Sequence, residues 1–395
     1  MNPVKNPFSP GAGTPPPALV GRQSVLNQAR LALERIKNGK SEKSFLLVGL
    51  RGVGKTVLLR TIAEEAVKLG CQEIFIETPE DGNLSSQLIP PLRELLLNLD
   101  KMEGLNSKVK RALRVFRSFL GAIKFGNEDF NISIDVDPET GVADSGDLQL
   151  DLPSLFLAIA EAAAARQTAV ALIIDEMQYL SEKEFSALIT AIHLAGQKRL
   201  PLLLVGAGLP QLVGLAGKAK SYSERLFNYP KIGQLNDRDA KDALCKPVQE
   251  QGIDYDAEAL EEIIRMTKGY PYFLQEWGYE TWNFSKKSPI SLEDVLQVTP
   301  HVIDKLDDNF FRVRFDRLTP SEKRYLRAMA ELGEGPHRSG DITNILQKTV
   351  QSCAPVRSSL IEKGMIYSPA HGDTAFTVPL FDEFLRRVIK ENRDL

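Results

Sequence analysis

Gly49-Leu50-Arg51-Gly52-Val53-Gly54-Lys55-Thr56 decides the reading of this chain. It fits G-x-x-x-x-G-K-[ST], a loop that cradles phosphates. Phe45-Leu46-Leu47-Val48 before it reads as a short buried strand, and Val57 to Lys68 after it as an amphipathic helix. That strand–loop–helix setting is what the chemistry requires. Successive backbone N–H groups line a concave nest, and the helix N-terminus adds positive potential toward an anion. The glycines Gly49, Gly52 and Gly54 let the backbone approach without a Cβ in the way. Val53 and Val57 flank the same nest. Lys55 is expected to pair with the β- and γ-phosphates of a nucleoside triphosphate, and the Thr56 hydroxyl to ligate Mg²⁺.

Val170-Ala171-Leu172-Ile173-Ile174-Asp175-Glu176 supports this reading. Apolar side chains on both faces suit a central parallel strand covered by helices. Asp175 at its end can hold Mg²⁺, directly or through water. Glu176 can polarise the water that attacks the γ-phosphate. The plainer alternative has both carboxylates starting the next helix as favourable N-terminal charges.

The chain has 395 residues, an apolar fraction of 43% and a net charge of −3. These values suit two or three domains with ample cores, and they exclude global disorder and a polycation drawn to nucleic acid as a whole. Any DNA contact must come from local patches. No apolar stretch is read as membrane-spanning, and Met1 to Pro17 lacks a hydrophobic signal core. Cys71, Cys245 and Cys353 stand far apart without metal spacing, which fits a reducing cytoplasm.

Strands expected at 45–48, 73–77, 170–174 and 202–206 alternate with helical segments. The expected fold class is therefore α/β, a parallel sheet flanked by helices. Residues 1–18 read as a flexible, proline-rich arm and 19–235 as the phosphate-loop domain. Residues 106–152 interrupt it. Asn106 to Phe125 is a helical stretch carrying Lys108, Lys110, Arg111, Arg114, Arg117 and Lys124. Phe130, Ile132, Ile134 and Val136 then alternate with polar residues, as do Leu148, Leu150 and Leu152, so 130–152 reads as an acidic β-hairpin. The basic helix and acidic hairpin could pack on each other. Alternatively Arg111 and Arg114 could touch DNA phosphates, or the hairpin a protein partner, or the helix a membrane surface.

Residues 236–315 read as a helical lid in which Pro271 opens a helix after Gly269-Tyr270. Residues 316–395 read as a winged helix. Thr319-Pro320-Ser321-Glu322 forms a capping box, and three helices, a hairpin and a last helix follow. The DNA candidates there are Lys348, Arg357, Lys363 and, at the wing tip, His371. Basic and acidic residues nearly balance after Thr319, so a protein-contact role stays open.

Together these landmarks resemble the AAA+ ATPases of the initiator clade, the origin-recognition and cell-division-control type proteins of archaea and their bacterial relatives. The resemblance covers nearly everything from Leu19 to Arg387. It rests on Leu19-Val20-Gly21-Arg22, the phosphate loop, Ile174-Asp175-Glu176-Met177-Gln178, Ser223-Glu224-Arg225-Leu226-Phe227, Gly269-Tyr270-Pro271 and the terminal winged helix. It implies that Val20 and Gly21 border adenine. It also implies that Arg225 reaches the γ-phosphate of a neighbouring subunit in a homo-oligomer; the plain alternative is a surface arginine paired with Glu224. ATP and Mg²⁺ are the implied cofactors, ATP hydrolysis the implied reaction and double-stranded DNA the implied partner.

Two departures qualify this. Gly206-Ala207-Gly208 ends a strand where the family commonly places an asparagine to orient water, which implies slow turnover or substitution by Gln178. The lid lacks the family's sensor arginine beside Gly269-Tyr270-Pro271. That Gly-x-Pro resembles the STAND class, where the proline lies over the nucleotide. The readings are therefore an ATP-dependent DNA-binding switch, a STAND-like regulator in signalling or phage defence acting on a protein, or a transposition-type regulator that coats DNA.

Overall fold

The computed structural model describes residues 1–389 except 12, 81–82, 103, 105 and 124–135. The first half of the chain alternates helix and strand: α1 (Gln23–Lys37), β1 (Ser44–Val48), α2 (Lys55–Lys68), β2 (Gln72–Glu77), α3 (Leu84–Lys101), α4 (Ser107–Ala122), α5 (Leu148–Ala165), β3 (Val170–Asp175), α6 (Glu182–Gln197), β4 (Leu202–Gly208), α7 (Leu212–Ala219), α8 (Ser223–Leu226) and β5 (Phe227–Asn228). The five strands form one parallel sheet in the order β2-β3-β4-β1-β5.

Period-two alternation divides each strand between two cores. Phe45 and Leu47 of β1, Ile173 of β3 and Val205 of β4 face α1 and α2. Leu46, Ile174 and Leu204 face the layer of α3 to α6. Burial on both faces explains why β1, β3 and β4 read as unbroken apolar runs. One strand, β4, lies between β1 and β3, so the phosphate loop and the Asp175 end of β3 sit at neighbouring carboxyl ends across it. Ligands of open parallel sheets bind at that edge.

The second strand of the hairpin expected over 130–152 is a helix instead. Phe130, Ile132 and Ile134 lie outside the described residues, and Leu148, Leu150 and Leu152 lie in the first turns of α5. Their i, i+2 spacing also fits a helix once the continuation is counted. Leu152, Leu155, Phe156, Ile159 and Ala163 recur at three and four residues and are buried. Asp147 caps the helix by accepting the Gln149 N–H at 3.0 Å. By length and composition α5 could cross a membrane, contrary to the expectation that no segment could. It is packed between α4 and α6 in the sheet's second core.

A helical layer follows: α9 (Asp237–Gln249), α10 (Ala257–Thr267), α11 (Pro271–Phe284) and α12 (Leu292–Leu306). Pro271 is the first residue of α11, where its missing N–H costs nothing. A π-helical turn, Asp307–Phe311, and α13 (Arg312–Phe315) then connect to the C-terminal module.

That module holds α14 (Pro320–Glu331), β6 (His337–Arg338), α15 (Ser339–Ile345), α16 (Val350–Glu362), β7 (Ile366–Tyr367), β8 (Asp373–Phe376) and α17 (Phe381–Val388). Its sheet is antiparallel, β6-β8-β7. Thr319 and Glu322 form the capping box. Strand β6 is too short to read from a pattern.

The N-terminal arm, expected to be flexible, is docked on α11. Phe8 is 2% exposed, and a Cβ at Gly278 would lie 2.7 Å from its ring. Asn6 donates to the Tyr279 carbonyl at 2.9 Å and to Asn283 Oδ1 at 3.0 Å. Trp282 Nε1 donates to the Asn2 carbonyl. A lone aromatic and two asparagines among prolines carry no periodic signal, so composition alone suggested mobility.

Candidate nucleotide site

Gly54 caps α2 in the left-handed region, at φ 87°, and no side chain caps the helix. The first N–H groups of α2 are therefore left for an anion. Glycine is required elsewhere in the loop too. A Cβ at Gly49 would lie 2.1 Å from the Ile232 carbonyl oxygen, and Gly52, at φ 79°, faces Tyr272 Cβ at 3.3 Å.

Lys55 is 6% exposed. Its amine donates to the carbonyls of Gly49 at 3.1 Å and Leu50 at 2.8 Å. Burial lowers its pKa, while Glu176 and Asp175 pull it back up. The Thr56 hydroxyl donates to Asp175 Oδ2 at 2.5 Å. Asp175 is 1% exposed. Burial raises its carboxyl above the usual range, and the Thr56 hydrogen bond offsets part of that. Two hard oxygen donors thus meet beside the phosphate nest. They suit Mg²⁺, which takes few protein ligands when phosphates and water complete its shell. Among the described residues no cluster of three or more acidic, histidine or cysteine side chains forms an all-protein cation cage.

Glu176 sits at φ 52°, ψ 37°, a strained conformation for a side chain of this kind. Its N–H donates to Asp175 Oδ1 at 2.8 Å. Gln178 Nε2 donates to Glu176 Oε2, and Gln178 Oε1 accepts the Leu209 N–H at 3.1 Å. This bridge from β3 to β4 explains the bare Gly206-Ala207-Gly208 run. A Cβ at Gly206 would lie 2.0 Å from Met177 Sδ, and one at Gly208 2.7 Å from Gln178 Oε1. Gln178 therefore fills the space that a polar side chain on β4 would need.

A cavity of about 700 Å³ opens over the loop. Residues 51–57 form its floor, and Glu176 stands at its edge. Val20 and arm residues from Ser9 onward form one wall. Pro271, Tyr272 and Gln275 of α11 form the roof. Gly21 does not line the cavity; it packs at φ 70° against Asp239 and Leu235. Arg22 beside it donates to the Val53 carbonyl at 3.2 Å and ties the wall to the loop.

Arg225 lies elsewhere. It is exposed at the end of α8, outside this cavity, and forms no ion pair among the described residues. The DNA candidates are mostly engaged within the chain. Arg111 pairs with Glu139 at 2.9 Å and Glu161 at 3.1 Å, and Arg114 with Glu139 at 3.2 Å. Arg357 donates to Thr374 Oγ1 and the Asp373 carbonyl. Lys363 pairs with Glu322 at 2.8 Å and lines the nucleotide cavity. Lys348 and His371 are exposed.

The motifs missed another side of the cavity. Asn309, Phe310, Val313, Arg314 and Arg317 of the connector line it, together with Met365 of the C-terminal module. More than 250 residues separate them from the phosphate loop, and no spacing rule joins them. Only the fold brings them there.

The α/β topology, the loop and the carboxylates at the end of β3 agree in one architecture. The fold is that of a P-loop AAA+ ATPase. Residues 18–205 match the family model of the AAA ATPase domain. Residues 308–385 match a family described only as a domain of unknown function. The Walker-type ATPase of Pyrococcus abyssi is similar in structure at a TM-score of 0.57 and 18% identity, over 93% of this chain and 96% of that one. The ORC1 protein of Aeropyrum pernix, solved in complex with DNA, gives 0.45 at 15% identity over 96% and 95%. RuvB, the Holliday junction branch migration motor of Thermotoga maritima, gives 0.44 at 16% over 93% and 95%. No curated protein matches the sequence.

Proposed function

We propose that this AAA+ chain is a Mg²⁺-dependent ATP switch that binds ATP tightly and hydrolyses it slowly. The observation that carries this reading is the meeting of Lys55, Thr56, Asp175 and Glu176 beneath a roof supplied by α11 and the connector. Lys55 and the α2 N–H groups hold the β- and γ-phosphates. Thr56 and Asp175 would hold the metal, which would neutralise phosphate charge. Glu176 accepts a proton from the attacking water, and Gln178 fixes the carboxylate that does so. Val20 borders the adenine, with Gly21 packed behind it, and Pro271 covers the nucleotide. Gly269, where a Cβ would lie 2.4 Å from the Leu235 carbonyl oxygen, sets the approach of α11.

The proposed units are an arm, 1–18, an ATPase domain, 19–235, a lid, 236–315, and a winged helix, 316–395. The winged helix touches the phosphate loop directly, since the Arg51 N–H donates to the Thr377 carbonyl at 3.2 Å. A loop joined to both lid and winged helix suits a switch that opens between nucleotide states, as in the STAND class, better than a motor. Arg225, exposed and without an ion pair among the described residues, would complete the site of a neighbouring copy, so ATP would drive homo-oligomers. Three free cysteines suit a reducing cytoplasm.

A second reading gives the winged helix a DNA role through Lys348 and His371, which remain exposed. It draws little from α16, none of whose exposed residues, Gln351, Ser352, Ser358 and Glu362 among them, carries a positive charge. The DNA-coating alternative draws less, because Arg111 and Arg114 are already paired.

Calorimetry with Mg²⁺ and ADP, or a slowly hydrolysed ATP analogue, tests the switch. Absence of heat from folded protein rejects it. Mass photometry of the same states with and without duplex DNA separates nucleotide-driven from DNA-driven assembly. Loss of salt-sensitive binding in Lys348→Glu would support the DNA reading, and unchanged binding would reject it.

A further inference from the structure

Six cationic side chains line the nucleotide cavity, Arg22, Arg51, Lys55, Arg314, Arg317 and Lys363, against two carboxylates, Glu80 and Glu176. Lys363 is neutralised by Glu322. Arg51, Arg314 and Arg317 form no ion pair among the described residues. Arg51 donates to the Tyr179 hydroxyl at 2.8 Å, which in turn donates to Glu80 at 3.2 Å. That chain holds the Arg51 guanidinium in place without cancelling its charge.

Arg314 is held as deliberately. Its guanidinium lies over the Phe310 ring at 4.2 Å, and Nη1 donates to the Phe310 carbonyl at 2.5 Å. Phe310 stacks on Tyr272, with ring centroids 4.8 Å apart. The Tyr272 N–H donates to the Gly52 carbonyl at 3.2 Å. One continuous stack therefore runs from the phosphate loop through the lid to Arg314. Burial first, then the charges of Arg51 and Arg317, bring the Arg314 pKa down to about 10 against the pull of Tyr272. Like charges gathered in excess of counter-charge in a cavity form a site for a polyanion.

We propose that Arg314 and Arg317, carried on the connector, grip the terminal phosphate of a nucleoside triphosphate bound to the same chain, and so report nucleotide state to the C-terminal module. This rests on the ATP-binding reading above and assigns that site a second set of phosphate ligands. The connector is suited to the task. It leaves α12 through the π-helical turn Asp307–Phe311, an irregularity often found at functional positions. It ends at Leu318, one residue before the cap of α14. A triphosphate reaches the arginines and holds the connector against the loop. A diphosphate, shorter by one phosphate, releases them.

Calorimetry on wild type, Arg314→Gln and Arg317→Gln, each with Mg²⁺-ADP and a Mg²⁺-bound slowly hydrolysed ATP analogue, tests this. Arg314→Gln should lose about 10–100-fold in affinity for the analogue, the range of a lost charge-assisted hydrogen bond. ADP affinity should stay within about threefold. Arg317→Gln, at an exposed position, should shift the ratio the same way by less, and it decides the matter if Arg314→Gln does not fold. Hydrogen exchange over 307–318 should show the analogue protecting the connector more than ADP does in wild type, and equally in Arg314→Gln. A wild-type ratio of affinities in both variants, or equal loss of both ligands, overturns the role of the arginines alone. A wild type that binds neither nucleotide overturns the pocket and this role with it.

Discussion

Two groups of cations in this chain end in opposite states. Those around the phosphate loop, Lys55, Arg51 and Arg314, are held by carbonyls, a phenol and an aromatic face. Those on α4, Lys108, Arg111 and Arg114, are held by Glu139 and Glu161. Both groups are conspicuous in the sequence as positive charge. Only the first keeps that charge uncancelled inside a cavity, and that condition marks an anion site. Counting lysines and arginines along a chain therefore cannot say which of them are available to a ligand. The carboxylates that reach them decide it.

The comparison breaks most decisively at Lys55. Lys55→Ala should remove measurable nucleotide binding, a loss of at least about a thousandfold by calorimetry, because a charge-assisted partner vanishes from a buried phosphate nest. Retained micromolar binding would show that the pocket's uncancelled charge is not what holds the ligand. Glu176→Gln comes next. It should leave binding intact and slow steady-state hydrolysis by about 10²–10⁴-fold, the range of general-base catalysis. Equal turnover in the two proteins would move the base elsewhere.

What could be read from the sequence follows the range of its signals. The β1–loop–α2 unit was legible because Gly49 to Thr56 fixes backbone and chemistry within eight residues. The positions of β1, β3 and β4 were legible because burial on both faces makes each an apolar run. Leu148, Leu150 and Leu152 misled because three alternating leucines fit a strand as well as the start of a helix. The period becomes unambiguous only over Leu152 to Ala163. The docking of Phe8 under Gly278 and the reach of Arg314 over the phosphate loop left no local trace. Both depend on elements that meet only after the lid has folded. The pairing of Arg111 with Glu139 was open as one alternative among several, since opposite charges nearby in sequence fit intramolecular and intermolecular partners equally well.

Glu322 sharpens the comparison from the acid side. It is 3% exposed and joins the α14 cap to Ser359 and Lys363 of the cavity wall. Burial alone would raise its carboxyl, but the Lys363 hydrogen bond and those from Thr319 and Ser359 outweigh it and hold the group at about 2. A folded-state pKa below the unfolded one adds stability at neutral pH. That share is lost as the pH falls from the ordinary 4.5 toward 2. Glu322→Gln should cost roughly 1–3 kcal/mol at pH 7. Its melting curve should also flatten against pH across that window relative to wild type. A mutant curve parallel to wild type between pH 5 and about 2 would show that the group is not what titrates.

The smallest effect belongs to α4, and it tests the comparison most directly. Arg111 and Arg114 are 39% and 50% exposed in their pairs with Glu139, so each pair should be worth about 0.2–1 kcal/mol. Arg111→Ala, Arg114→Ala and Glu139→Ala, combined in double-mutant cycles followed by urea melts, should return coupling energies of that size. The informative variant is Glu139→Gln. It removes the shared carboxylate and leaves Arg111 only Glu161. If α4 were a phosphate-binding surface held in check by Glu139, duplex DNA affinity would rise in this variant and its dependence on salt would steepen by about one unit for each arginine released. The pairing geometry instead leads us to expect a small loss of stability and an unchanged anisotropy titration across salt. A steeper salt slope would mean that the carboxylates of residues 136–161 mask a nucleic-acid surface, and the two groups of cations would then differ only in what covers them.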